Sequence, residues 1–530
     1  MNRMSIALSL AAAAALSACN RPESAKSSPL AASAKVATAK SCDELAALAL
    51  PSTTISGVES VAAGAFKSPA PSFGGPPADF TKLPAFCRVI GSIKPAPDSD
   101  IRFEVWLPAE GWNGKFMQTG NGGAAGSIVW GSLAEPLARG YAVANTDTGH
   151  QGAGGDFAWA VGHPDKLTDY AYRAVHELTV VGKAVTAARY GKSPDKSYWN
   201  GCSTGGRQGL KEAQRFPDDY DAIVAGAPAA NWSALMGFSI LAQKNMTGPE
   251  GLSAGKLGVL TAAALAACDA RDGVTDRVIG APKLCTFDPA STQCAAGKTD
   301  ACLTPPEVAA AKRIYAGVVT KGGAVLMPGT GPASEQLWAA YASPQFSIGT
   351  SFFRSAIAND QSWDPETFDV DRDVARAEAQ DGGAAKAMDP DLSAFFAHGG
   401  KLITYHGTAD GLIPYGNTVN YYESVVAKLG ADAVKDHAAL YLVPGMSHCQ
   451  GGEGASEIDW IGALEAFDRT GKPPGSIHAA HSAQQLSPPG APAPPPGKAF
   501  TRPVCPYPQL AKYKGQGDEA DAASWECAAQ

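Results

Sequence analysis

The stretch Gly201-Cys202-Ser203-Thr204-Gly205 constrains this chain more than any other. It follows the apolar run Ser197-Tyr198-Trp199-Asn200 and precedes residues 207–216, whose spacing suits a helix. A serine held between glycines at such a junction fits the G-x-S-x-G pattern, in which the chain turns sharply and bulky neighbours would clash. The turn needs a strand entering and a helix leaving, and the same alternation recurs along the chain. Residues 102–107, 115–118 and 141–145 read as strands, and 170–190 carries helical apolar spacing at Val175, Leu178, Val181, Val185 and Ala188. Strands resume at 401–405 and 439–443, so the class is α/β. Residues 236–395 differ, with four cysteines, Pro/Gly turns, Asp-rich loops and few strand-like runs. They read as a large inserted lid between core halves 41–235 and 396–530, and no solenoid repeat is visible.

A serine is a weak nucleophile alone and needs a base and an acid that orients the base. Asp410, in His406-Gly407-Thr408-Ala409-Asp410-Gly411, directly follows strand 401–405, and His448, in Pro444-Gly445-Met446-Ser447-His448-Cys449, directly follows strand 439–443. Both stand where loops at strand ends display side chains. His406 reads as a supporting or loop-packing residue, and the remaining histidines as solvated or structural.

Eleven cysteines without any C-x-x-C spacing point to an oxidising compartment and disulfides. Met1-Asn2-Arg3 and the short apolar stretch 4–16 read as a signal peptide over 1–18. Leu16-Ser17-Ala18-Cys19 resembles a bacterial lipobox, which would make Cys19 a lipidated first residue followed by a flexible tether to about residue 40. Ordinary cleavage after Ala18 is the alternative. Ten cysteines then remain. Cys202 precedes the candidate nucleophile and Cys449 follows the candidate base, so a Cys202–Cys449 bridge would couple both loops. Nearby spacing favours Cys268–Cys285 and Cys294–Cys302. A net charge of −8 argues against nucleic acid or a polybasic membrane contact, and a lipid anchor would be the only tie to a membrane.

Taken together these residues resemble the tannase and feruloyl esterase family, which includes the mono(2-hydroxyethyl) terephthalate hydrolases. The resemblance rests on Cys202-Ser203, Asp410 and His448-Cys449, and extends to Trp112-Asn113-Gly114, Gly120-Asn121-Gly122-Gly123, Val443-Pro444-Gly445-Met446 and Cys505-Pro506-Tyr507-Pro508. It implies an α/β-hydrolase core with a lid inserted between serine and aspartate, a Ser203–His448–Asp410 triad, and an acyl-enzyme. The oxyanion would be held by the Thr204 N–H with Gly122 or Gly123. It also adds the pairs Cys42–Cys87 and Cys505–Cys527.

Cys268-Asp269-Ala270-Arg271-Asp272-Gly273-Val274-Thr275-Asp276-Arg277-Val278 gathers three carboxylates around a glycine turn, a hard-oxygen set suited to Ca²⁺. An EF-hand is excluded because Gly280 stands where its bidentate glutamate is required. The resemblance assigns a structural calcium to the Asp269, Asp272 and Asp276 side chains with the Val274 and Val278 carbonyls. No organic cofactor is implied. Trp338, Phe346, Phe352, Phe353 and Trp363 are candidate pocket walls, and Arg354 a candidate partner for a substrate carboxylate. The expected substrates are small aromatic carboxylic esters, feruloyl or galloyl ahead of terephthalate monoesters. A serine peptidase or amidase and a non-catalytic glycan-binding lipoprotein are the readings from other classes. The expected location is exported, as an outer-membrane lipoprotein or a periplasmic or extracellular protein.

Overall fold

The computed structural model of the protein describes residues 38–69, 79–296, 301–380, 384–483 and 498–529. The leader 1–18, Cys19, most of the tether and the Pro-rich stretch 487–497 lie outside the described residues. No helix among the described residues is long and apolar enough to cross a membrane.

The core is a nine-stranded sheet. Its first half runs β1 (Thr53–Val61), β2 (Phe86–Ile93), β3 (Ile101–Pro108), β4 (Lys115–Thr119), helix α1 (Trp130–Ala138) and β5 (Ala142–Thr146). After the short α2 (Pro164–Thr168) come α3 (Ala174–Tyr190), β6 (Lys196–Cys202), α4 (Thr204–Arg215) and β7 (Ala222–Gly226). The chain then leaves the sheet through α5 (Trp232–Thr247), α6 (Leu257–Cys268), α7 (Pro305–Ala316) and the hairpin β8 (Val318–Val319) and β9 (Val325–Met327). It returns as β10 (Lys401–Gly407) and β11 (Ala438–Val443). The strand order is β1-β2-β3-β5-β4-β6-β7-β10-β11. β1, β2, β3 and β5 pair antiparallel, and every pair from β5–β4 to β10–β11 is parallel.

Burial explains which strands announce themselves in the sequence. β5, β7 and β11 are buried at every position, as parallel strands covered on both faces must be. Edge strand β1 alternates between half-buried and exposed positions, so it lacks an apolar run. Along the parallel strands successive side chains enter opposite layers. Phe116, Trp199, Ile223 and Leu402 join the layer of α3 with Val175, Leu178 and Val181. Their neighbours Met117, Tyr198, Val224 and Ile403 join Trp460, Leu464 and Phe467 of the helix Trp460–Thr470. The excursion between β7 and β10 has its own apolar centre around Trp232, Phe238, Leu260, Trp338 and Phe352, which continues into Ala124, Phe157 and Tyr170 of the core loops.

Phe467 is fully buried beneath the sheet, so Phe467→Ala should cost about 3–5 kcal/mol. The check is the denaturation midpoint in urea; a midpoint equal to that of the parent protein would refute this account of the layer.

Candidate active site

β6 ends at Cys202 and α4 begins at Thr204, leaving Ser203 alone at the turn with φ +65° and ψ −121°. That conformation is costly for a residue with a side chain and persists only where the surroundings enforce it. Here the Ser203 N–H donates to the Gly226 carbonyl at 2.9 Å, and the Ser203 carbonyl accepts from Ala229 at 3.1 Å and Arg207 at 3.0 Å. The turn also demands close backbone approach. A Cβ on Gly206 would stand 2.2 Å from the Gly226 oxygen, and one on Gly120 would stand 2.4 Å from the Gly205 Cα. Ser203 itself is half-buried and so reachable.

The glycine run after β4 lies against this turn. Gly205 N–H donates to the Asn121 carbonyl at 2.8 Å, and the Thr204 hydroxyl donates to the Gly123 carbonyl at 2.7 Å. Asn121 is fixed by Gln208, which accepts from its N–H and donates to its side-chain oxygen, both at 3.1 Å. Gly120, Ala124, Ala125 and Gly126 spend their N–H groups on protein carbonyls. Those of Gly122 and Gly123 make no such bond among the described residues. The Thr204 N–H opens α4 and has no partner within the helix. Among the described residues the Gly122, Gly123 and Thr204 N–H groups are thus left without a backbone acceptor, and the Thr204–Gly123 bond brings the glycine run against the positive end of α4.

Asp410 and His448 follow β10 and β11 and meet. His448 Nδ1 lies 2.7 Å from Asp410 Oδ2. Asp410 is fully buried, and its other oxygen accepts from the Leu412 and Ile413 N–H groups, each at 2.9 Å. Burial by itself would raise its pKa. The charge of His448 and hydrogen bonds from His406 and His448 prevail and hold it well below the usual carboxylate range. An ionised Asp410 places the proton of neutral His448 on Nδ1 and leaves Nε2 as acceptor. His406, also fully buried, has Nε2 at 2.9 Å from the Ile413 carbonyl and 3.2 Å from Asp410. A carbonyl only accepts, so that nitrogen carries the proton, and Nδ1 accepts from Thr418 at 2.7 Å.

All five expected disulfides are present: Cys42–Cys87, Cys202–Cys449, Cys268–Cys285, Cys294–Cys302 and Cys505–Cys527. The second sets the Cα atoms of Cys202 and Cys449 6.0 Å apart and so ties the Ser203 turn to the His448 loop. Cys449 shares the left-handed backbone of Ser203, with φ +65°.

The chain matches the family model described as tannase and feruloyl esterase over residues 87–528. It belongs to that family. Its sequence is 37% identical over 535 residues to an uncharacterized esterase of Xanthomonas campestris, covering 92% of this chain and 91% of the relative. It is 34% identical over 464 residues to a probable feruloyl esterase B-2 of Aspergillus terreus, covering 83% and 86%. Among solved structures it is similar to feruloyl esterase B from Aspergillus oryzae, with TM-score 0.82, 29% identity and coverage of 92% and 99%. It shares the fold of the tannin acyl hydrolase from Aspergillus niger, with TM-score 0.75, 23% identity and coverage of 92% and 95%. The fold is thus that of an α/β-hydrolase, and the chain is a carboxylic ester hydrolase of the feruloyl esterase and tannase type.

The candidate pocket aromatics have different surroundings. Phe352 meets Phe157 and Trp232 edge-on at 5.4 and 6.0 Å, whereas Phe353 faces Trp363 and Phe368. Phe346 meets Tyr341 edge-on at 5.2 Å, and Trp338 is buried with its N–H on Thr330. Arg354 is half-buried, and its Nε donates to the Trp363 carbonyl at 3.2 Å.

In the Asp-rich loop, Asp269 accepts from the Asp276 and Arg277 N–H groups, Asp272 from Val274, and Asp276 from Val278. Arg502 takes the second oxygen of Asp276 at 2.6 Å. Burial, then the charges of Asp276 and Asp269, push the Asp272 carboxyl up to about 6. The Val274 and Val278 carbonyls accept no hydrogen bond among the described residues.

Sequence reading gave Asn121 no role of its own and did not find Gln208 or a further cluster, His176, Glu212 and Asp219, whose ligand atoms lie within 4.8 Å of one another. His176 pairs with Asp219 at 2.6 Å and stacks on Phe216. Glu212 is buried, and burial, then the charge of Asp219 and a hydrogen bond to it, push its carboxyl well up. The Lys183 ammonium donates to the Asp219 carbonyl and supplies a compensating cation. Glu212 lies eight positions along α4 from Thr204, roughly 12 Å at the helical rise, so this cluster braces the far end of the helix.

Removing the cross-link by Cys202→Ala with Cys449→Ala should lower stability by about 2–5 kcal/mol and reduce kcat. Thermal melting and ester turnover measured together check this, and an unaltered kcat would show that the loops hold their geometry without the bond.

Proposed function

We propose that this protein is an exported serine esterase that hydrolyses aromatic carboxylic esters through an acyl-enzyme, with Ser203 as nucleophile, His448 as general base and Asp410 as its orienting acid. The observation that carries the reading is the Cys202–Cys449 bond, because it ties the strained serine turn after β6 to the loop of His448, whose Nδ1 is bonded to the buried Asp410. His448 Nε2 takes the Ser203 proton as Oγ attacks the ester carbonyl, and Asp410 stabilises the resulting imidazolium. The oxyanion draws on the Thr204 N–H and on Gly122 or Gly123. Collapse returns the proton to the departing alcohol, and a water activated by His448 then releases the acid.

The relatives named feruloyl esterase favour hydroxycinnamoyl esters, with galloyl esters next and terephthalate monoesters as the alternative within the same chemistry. The excursion between β7 and β10 serves as the lid, and Phe352, Phe353 and Arg354 are its candidate contacts to the acyl group. The leader and Cys19 favour export with a lipid anchor.

Calcium fits the Asp269–Val278 loop. Three carboxylates crowd there, and among the described residues Arg502 is the one positively charged side chain bonded to them and the two valine carbonyls remain available. Asp269, Asp272 and Asp276 would hold the ion together with those carbonyls, and it would neutralise their repulsion. Its part is structural, since no step of the reaction uses it.

Ser203→Ala should abolish turnover of methyl ferulate, methyl gallate and the terephthalate monoester with a native melting curve, and Asp410→Asn should lower kcat by about 10⁴-fold with a lowered melting temperature, because its amide NH2 replaces an oxygen that accepts from buried donors. Undiminished hydrolysis by the serine variant would sink the assignment, and the parent protein's relative rates on the three esters rank the substrate classes. Chelation should lower the melting temperature and added Ca²⁺ restore it. Asp272→Asn should erase that response while making the metal-free protein more stable; a melting curve indifferent to chelator would overturn the calcium site.

A further inference from the structure

The peptide that follows the unspent glycine donors is fixed from both ends, and one of the groups fixing it lies outside the triad and its donors. Gly123, with φ +53°, has a carbonyl that accepts from the Thr204 hydroxyl at 2.7 Å and the Tyr170 hydroxyl at 3.1 Å. A carbonyl has two lone pairs and only accepts, so both hydroxyls donate and the oxygen is saturated. At the other end of the same peptide the Ala124 N–H donates to the Gly154 carbonyl at 2.7 Å. The next carbonyl, that of Ala124, accepts from His150 Nε2 at 2.8 Å. Together with the Ala125 N–H on the Gly122 carbonyl at 2.9 Å and the Gly205 N–H on the Asn121 carbonyl at 2.8 Å, this anchored peptide leaves the Gly122–Gly123 run little freedom to rotate, and the directions of its N–H groups are set.

Tyr170 is suited to this task and not to contact with substrate. Its side chain is 1% exposed. The ring is met edge-on by Phe157 at 5.3 Å and Trp232 at 5.7 Å, and the Arg207 guanidinium lies over it at 4.7 Å. Burial pushes its hydroxyl up to about 12, so it stays protonated as a donor wherever the enzyme is folded.

Building on the serine-esterase reading, we propose that Tyr170 and the Thr204 side chain are positioning residues, which lock the Gly123 carbonyl and thereby aim the Gly122 and Gly123 N–H groups at the oxyanion. The stabilisation of a developing oxyanion depends on donors placed in advance, so loosening them weakens the transition state more than the bound ester. Tyr170→Phe keeps the ring and deletes one donor. It should lower kcat on methyl ferulate about tenfold, a fraction of the loss when an oxyanion donor itself is removed, with KM and melting temperature nearly unchanged. Thr204→Val should act likewise, and Tyr170→Phe with Thr204→Val should lose at least a hundredfold. An unchanged kcat in Tyr170→Phe would overturn the proposal, as would a kcat loss that appears only together with a lowered melting temperature. Ser203→Ala run in parallel separates the two readings. If it is inactive while Tyr170→Phe is fully active, positioning alone fails; if it turns over normally, the serine reading fails with it.

Discussion

The left-handed backbone of Ser203 is the constraint on which the surrounding architecture depends. A side chain at φ +65° costs roughly 1–3 kcal/mol, and nothing within the turn itself recovers that. The conformation is held from outside, by β7 on one side through Gly226 and by the glycine run after β4 on the other through Asn121. Neither contact forms unless β4, β6 and β7 are in register as neighbours in the parallel sheet. Small residues at Gly120 and Gly206 let those backbones come close enough. The strained serine is thus an outcome of sheet assembly as a whole.

Asp410 poses the opposite problem, a charge in the interior. Desolvation acts strongly against it, and four donors answer: two backbone N–H groups on one oxygen and two imidazoles on the other. Because His406 is itself fixed by Thr418 and Ile413, the carboxylate cannot rotate to follow His448, and it is the His448 imidazole that must conform. Preorganisation of this kind begins at Thr418 and Ile413 and explains how a fully buried carboxylate can hold the half-buried His448 ring.

Much of this was legible in the residues. The G-x-S-x-G turn, the strands bordering it and the cysteines beside Ser203 and His448 are local signals, each set by neighbours within a few positions. Edge strand β1 escaped because a sheet margin exposed on one face carries no apolar run, and β7 because five small and apolar residues resemble many other stretches. The contacts of Asn121 with Gln208, and of Tyr170 with Gly123, join residues 87 and 47 positions apart through side chains, and no periodicity records such pairs. Glu212 is hidden for another reason: a charged residue in the middle of a helix reads as solvated until the fold buries it.

The bond between Cys202 and Cys449 closes a covalent ring whose ends are 247 positions apart in sequence, and the whole excursion between β7 and β10 lies inside it. Closing a long ring depends only logarithmically on its length, so adding or deleting tens of residues within it alters the closure entropy by a fraction of a kcal/mol. The excursion can therefore be lengthened or shortened at little entropic cost while the Ser203 turn and the His448 loop remain clasped at its neck. In a scaffold wired this way, the excursion and the paired loops at its neck are free to diverge at different speeds.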